Sequence, residues 1–513
     1  MRSCPRSRAP SVHRLLRPAF PRVAAILSAL ILFILMIGAA AQQDGFAPPA
    51  PQSPLPRPEI SASEILAAIQ SGQPVSYDNV TVTGSLDIGP GAGPVQGQIS
   101  IINSRFLGPL RIVAAAFGDD LDLRGCVFEE NASFIKSRFM GEFRLAGAVF
   151  LKQADFAEAV FGGPATFASA RFLKDASFSN AEFDGDAIFL DAGFASDVDF
   201  NYAKFMRIGY FESAFFEDVR FFETRFSGQV TFRSVRFFGN AEFAATRFDS
   251  DVVFRDARFL KGSTFGLSSF AGIVDFGGVN FSQTAFLGGV KFSDLAYFTG
   301  TNFGGDLILE EARLYSMQLE SASFAEGSTI NLNSTDFNKF VVHWPTIRDR
   351  LVYNGAAYLA LVKNYKSLEW FDEADDCYYQ YRKAGQDRAA WGWGKISDII
   401  AWLSCGYGVR VSYTAFWCLF TILFFGVIFW AGKGMSKFEI EGMELPGDPR
   451  LYPSKRVSFT DALYFSIAMF TTSQAPVNTY PVGVYRHLAM AEGILGWFFL
   501  GLFVVVLSAV LIR

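Results

Sequence analysis

Histidine and cysteine are scarce in this 513-residue chain, with three and five residues respectively. Beyond the N-terminal leader described below only His343 and His487 remain, and neither is near a paired cysteine or a carboxylate motif. That scarcity leaves no metal-ligand spacing and no nucleophile paired with a base. A glycine-rich phosphate loop and a nucleophile elbow are missing as well. No catalytic residue, metal ligand or cofactor is therefore expected, and the chain does not read as an enzyme. Charge of one sign is lacking too: 45 Lys and Arg against 50 Asp and Glu leave a net charge of −5, without a basic footprint for nucleic acid. Cys4 falls in the leader, Cys126 in a small-residue slot of the repeat and Cys418 in an apolar run. Cys377 and Cys405 remain. They form a disulfide if their region is exposed to an oxidising compartment; two buried thiols are the other reading.

What is abundant is phenylalanine, 57 residues. Phe128, Phe139, Phe150, Phe161, Phe172, Phe183, Phe194, Phe205 and Phe216 recur every 11 residues, and a second register, from Phe134 and Leu145 to Phe211, falls between them. One residue is lost near Phe221 and Phe222, after which Phe226 to Phe303 resume the spacing. A small residue stands two before most of these, as in Ala176-Ser-Phe178. Side chains two apart share one side of an extended chain, so alanine and phenylalanine both point inward. Interior columns with polar corners describe a solenoid whose coils stack through backbone hydrogen bonds.

This pattern resembles the pentapeptide-repeat proteins, whose Ala-x-Leu/Phe-x-x units imply a mainly β architecture, a right-handed quadrilateral β-helix. The match runs from about Phe106 to Phe337. The average step of 5.5 rather than 5 predicts about 22 residues per coil. Some ten coils at about 4.8 Å each make a rod on the order of 50 Å. Arg225, Arg236, Arg247 and Arg258 recur at outward positions. They read either as a basic ladder for an anionic polymer or protein partner, or as a solvated face.

At the N-terminus six arginines precede an apolar run from Val23 to Ile37 and Ala39-Ala-Ala41. This is the layout of a secretory signal, or of an anchor that is not removed. Residues 42–58 are a Pro-rich linker. Ser61-Ala-Ser-Glu64 opens a short helix over Ile60–Ser71, and Val75–Ile88 alternates like a strand. We assign residues 59–105 to an N-terminal cap and 106–340 to the β-helix. A helical connector follows over 341–410, with helices expected over Ala357–Trp370 and Asp372–Arg382. Trp391, Trp393 and Trp402 suit either an interfacial belt or helix packing.

Residues 411–513 differ in kind. Val411–Trp430 and Leu488–Ile512 are apolar and long enough to cross a bilayer, whereas Phe459–Phe470 is too short. Span, half-span, polar turn and span is the order of a pore loop, because non-helical backbone at membrane depth needs protein or a water-filled cavity around it. Phe459-Thr-Asp-Ala-Leu-Tyr-Phe-Ser466, Phe470-Thr-Thr472 and Met490-Ala-Glu492-Gly-Ile-Leu-Gly496 resemble the pore helix and inner helix of two-transmembrane, potassium-channel-like proteins. The resemblance implies an ion-channel pore domain in a homo-oligomer, a tetramer, with Thr471, Thr472, Ser473, Gln474, Ala475 and Pro476 in the filter region. Glu492, a carboxylate within a span, reads either as facing a cavity or partner, where it supports the pore helix or attracts cations, or as exposed at the interface. The preceding block, which ends in Ser404-Cys-Gly-Tyr-Gly408, resembles the connector of pentapeptide-repeat proteins with such C-termini. Potassium channels follow the threonines with a glycine-rich turn. Here Pro476 and Val477 stand instead, residues that do not reach positive φ cheaply, so potassium selectivity is not expected. A leader places the rod outside the cytoplasmic (inner) membrane, in the periplasm or its equivalent, and the loop carrying Lys433, Lys437, Arg450, Lys455 and Arg456 inside. The alternative is a scaffold or adhesion rod whose C-terminal hairpin is only an anchor.

Overall fold

Two-residue strands of alternating burial, joined by corners, set the architecture. In the computed structural model, which describes residues 57–90, 93–437, 457–476 and 479–511, one coil runs Val127–Phe128, Ala132–Ser133, Arg138–Phe139, Phe143–Arg144. Its steps along the chain are 5, 6, 5 and 6 residues, so Val127 pairs in parallel with Val149 and Phe128 with Phe150, 22 residues on. The extra residue of every longer step takes a left-handed conformation: Lys136 (φ 58°), Gly147 (φ 68°), Glu158 (φ 57°), Ser169 (φ 56°). Non-glycine residues enter that region at a cost. Here each such amide donates to the next coil, Lys136 to Ala157 O at 2.9 Å and Glu158 to Ser179 O at 2.9 Å. Alternate corners thus hold one residue more than a five-residue step allows, which accounts for the 5.5 average.

Four strand columns per coil make the solenoid four-sided. Two form sheets of 13 and 12 strands; the other two join into one 21-stranded sheet. They merge because the long strands Lys291–Tyr297, Arg313–Gln318 and Asp336–Val341 run across the corner. About thirteen turns are present rather than ten. Glu59–Ser61, Val75–Asp78, Thr81–Thr83, Leu86–Ile88 and Ile99–Ile102, expected in a separate cap, are strands of the solenoid's own sheets. What lies over its start is helix α1 (Ala62–Gln70), capped by Ser61 and burying Ile65 and Ile69. The missing residue is taken out of the corner between Phe215–Phe216 and Val219–Arg220; Val219 still pairs with Val198.

Ring stacking follows the backbone. Phe156 and Phe178 stack at 4.7 Å and 3°, Phe172 and Phe194 at 4.7 Å and 1°, the spacing of hydrogen-bonded strands. Rings of neighbouring columns meet edge to face, as Phe167 and Phe178 do at 5.3 Å, the geometry favoured by the aromatic quadrupole.

The far end is closed by helices α2 (Trp344–Ile347), α3 (Gly355–Ser367) and α4 (Phe371–Arg388). Asn364, buried on α3, imitates a further coil: its Oδ1 accepts from Phe340 N–H at 2.9 Å and its Nδ2 donates to Phe340 O at 2.8 Å. Leu351 adds a short bridge to Ile330. Helix α5 (Trp393–Cys405) lies within the expected helical connector, beyond the two helices placed there. It leads through Gly406–Gly408 into α6 (Val411–Ala431); α7 (Phe459–Thr472) and α8 (Tyr485–Leu511) complete the chain. The expected leader (1–41), most of the linker, Arg450, Lys455, Arg456 and Val477 lie outside the described residues.

Candidate functional site

Helices α6 and α8, 21 and 27 residues, are long and apolar enough to cross a membrane. Helix α7, 14 residues, spans only about 21 Å at 1.5 Å per residue. Its start is well specified: Ser458 accepts from Asp461 N–H at 3.2 Å while the Asp461 carboxylate accepts from Ser458 N–H at 3.1 Å. Lys437 Nζ donates to Asp461 at 3.0 Å. Because Lys437 closely follows α6, the first turn of α7 lies at the C-terminal end of α6.

From there α7 runs back between its neighbours. The Phe429 and Phe465 rings meet edge to face at 5.1 Å, Gly426 faces Leu463, and Ser466 Oγ donates to Ile422 O at 2.8 Å. The tip reaches α8 at two glycines. A Cβ on Gly496 would collide with the Phe470 carbonyl, and one on Gly493 would sit 2.9 Å from Ser473 Oγ. Gly501, further along α8, has open space around its Cβ position. Gly493 lies eight residues past Tyr485, about 12 Å along a helix about 40 Å long, so α7 ends well inside that length.

The chain then returns to the end where it entered. Thr479–Pro481 pairs antiparallel with Met435–Lys437, Val482 N–H donates to Gly434 O at 2.8 Å, and the Tyr485 hydroxyl donates to Gly432 O at 3.1 Å. The opposite end of α8 lies by the connector: Ala509 and Val510 share a cavity with Lys366, Phe371 and Gly408. The solenoid and the two-stranded ladder beside the start of α7 therefore stand at opposite ends of α6 and α8.

Glu492 is fully buried. Its Oε1 and Ser466 Oγ are in hydrogen-bond contact, so the buried Ser466 side chain joins α7 to both α6 and α8. Glu492 Oε2 has no partner among the described residues. The expected filter residues lie beyond this clip. Thr471 and Thr472 are still helical, their hydroxyls donating to Ile467 O and Ala468 O at 2.7 Å each. Ser473 ends the helix in the left-handed region (φ 52°), and Gln474 N–H donates to Thr472 Oγ1 at 3.3 Å. Thr471, Thr472, Ser473, Gln474 and Ala475 are exposed and Pro476 half-buried. An open groove of about 580 Å³ runs along the same face between Met469, Ser473, Ala475, Met490 and Trp497.

Cys377 and Cys405 are both free thiols. Cys377 points at Tyr358 O (3.7 Å) and Cys405 at Ala401 O (3.3 Å); burial pushes the Cys377 thiol above its ordinary range. No group of three or more His, Cys, Asp or Glu suited to a metal ion occurs among the described residues. The fold divides the four arginines of the expected ladder. Eleven residues are half a coil, so Arg225 pairs with Arg247 on one face and Arg236 with Arg258 on another. Asp249 accepts from Arg225 Nε (2.7 Å) and Arg247 Nε (2.5 Å), and Arg236 lies over the Phe215 ring. These four arginines therefore stand on two faces rather than in one row.

Residues 112–160 and 156–204 match the family model for pentapeptide repeats, described as nine copies of the unit. Both segments lie inside the solenoid. No curated protein matches the chain, and no solved structure does.

Proposed function

We propose that this chain, whose solenoid is built of pentapeptide repeats, is a membrane protein without enzymatic activity whose residues 411–513 act as the pore domain of an oligomeric ion channel. The observation that carries the reading is the path of α7. A helix too short to span enters beside the end of α6, stops part-way along α8 at a polar tip, and returns to the same end. Among the described residues of a single protomer that tip is exposed, and polar backbone at membrane depth requires cover from protein or a water-filled cavity. Sister copies, four by the potassium-channel resemblance, supply it. Thr471 to Pro476 then face the conduction path, and the Ser466–Glu492 contact holds α7 at its depth. Pro476 in place of a glycine-rich turn supports a filter not of the potassium type. The leader-like N-terminus supports a protein of the cytoplasmic membrane with its rod on the extracytoplasmic side and the loop dipping in from the cytoplasmic side.

Reconstitution of the purified full chain in planar bilayers tests the proposal. Discrete currents that are lost or altered in Glu492→Ala and Pro476→Gly are expected. Silent bilayers with verified insertion favour the second reading, a tethered scaffold, which the departure from a channel-type filter sequence supports.

A further inference from the structure

Helix α5 carries an apolar stripe that nothing among the described residues covers. Trp393, Ile396, Ile400 and Leu403 are all exposed. At positions i, i+3, i+7 and i+10 they fall on one narrow side of the helix. Trp391, just before the helix, is 80 % exposed and Trp393 86 %. The opposite side is polar and engaged: Asp398 pairs with Arg382 at 2.5 Å, and the Trp402 indole donates to the Tyr379 hydroxyl at 2.7 Å under the Lys383 ammonium. The three tryptophans therefore divide, with Trp402 in helix packing and Trp391 and Trp393 outside.

We infer that α5 lies on the membrane surface, with this stripe seated at the boundary between lipid headgroups and acyl chains. The inference rests on the reading of α6 and α8 as spans. Three observations select lipid as the occupant. First, the stripe continues into the span, because Trp417 on α6 donates from its indole to Leu403 O at 2.7 Å, beside the exposed Phe416, Leu419 and Phe420. Second, its outermost residues are tryptophans, whose amphipathic rings favour the interface. Third, Arg388 and Lys395 flank it without an acidic partner among the described residues, Arg388 over the Tyr353 ring and Lys395 over the Trp391 ring. An amphipathic helix of this kind sinks about 5–10 Å into the interface. The left-handed turn Gly406, Tyr407, Gly408 (φ 52°, 60° and 85°) then redirects the chain from the surface into α6.

The test is quenching of tryptophan emission in the full chain, reconstituted into phosphatidylcholine vesicles with acyl chains brominated near the headgroup. The wild type is compared with Trp391→Phe/Trp393→Phe, changes at exposed sites that leave the core intact. A clear loss of the quenchable emission in the variant is expected. Equal quenching in both proteins overturns the inference, because α5 then faces protein or water while Trp417, Trp430 and Trp497 still report inserted spans. Absence of quenching in either protein removes the spanning reading itself, and this inference with it.

Discussion

Asp249 lies between two successive coils and accepts from an arginine of each. Its burial opposes the charge, yet the hydrogen bonds from Arg247 and Arg225 outweigh that cost and hold its carboxyl below the usual carboxylate range. A folded-state value below the unfolded one stabilises at pH above the unfolded value, near 3.9, and the gain is lost as pH falls through the folded value. Asp249→Asn is expected to reduce unfolding free energy at pH 7 by about 0.2–1 kcal/mol. In guanidinium titrations that difference from wild type should fade as pH falls below the unfolded value; a difference indifferent to pH contradicts the bridge. In the C-terminal unit the sensitive residue is Ser466. Ser466→Ala removes the hydroxyl between Ile422 O and Glu492 and leaves a buried carboxyl unpartnered, a loss of about 1–3 kcal/mol. Thermal unfolding in detergent reads it. Glu492→Gln, which keeps a hydrogen-bonding amide, is expected to lose less; equal stability of Ser466→Ala and wild type would dismiss the clip.

At the scale of elements, solenoid coils contact chiefly their neighbours, so the last coil depends on what covers it. Asn364 supplies both a donor and an acceptor to Phe340. Asn364→Ala leaves two buried backbone groups unpaired at about 1–3 kcal/mol each. Hydrogen exchange should accelerate at the Phe340 amide and leave that of Phe211, bonded to Thr231 O within the stack, protected. Unchanged protection at Phe340 would mean that α3 caps by packing alone. Helix α7 shows the complementary case: its hydroxyl contact, two glycine contacts and a flanking β-ladder fix its angle as well as its end.

For the molecule as a whole the solenoid, about 60 Å for thirteen turns at 4.8 Å, ends on a connector that lies by the C-terminal end of α8. The Met435–Lys437 and Thr479–Pro481 ladder lies at the other end. An epitope on the coil corner at Gly185 and one inserted after Lys437 are therefore expected on opposite sides of sealed vesicles, one protected from protease and one cleaved. Both epitopes on one side would show that α6 and α8 do not cross.

By itself the sequence determined the solenoid, because an inward Ala-x-Phe recurring every 11 residues is a local property that each coil repeats. The 5.5-residue step announced a 22-residue coil before any corner was seen. Length and apolarity alone separated α6 and α8 from the shorter α7. Only the tertiary structure decided which residues share a face. It sent alternate arginines of one spacing to different sides, since half a coil turns the chain half-way round. It joined Ser466 to Ile422, 44 residues away, and to Glu492, 26 away. It also returned the chain after α7 to the end it came from. Such contacts depend on the summed direction of every intervening element, and no local pattern of side chains contains that sum.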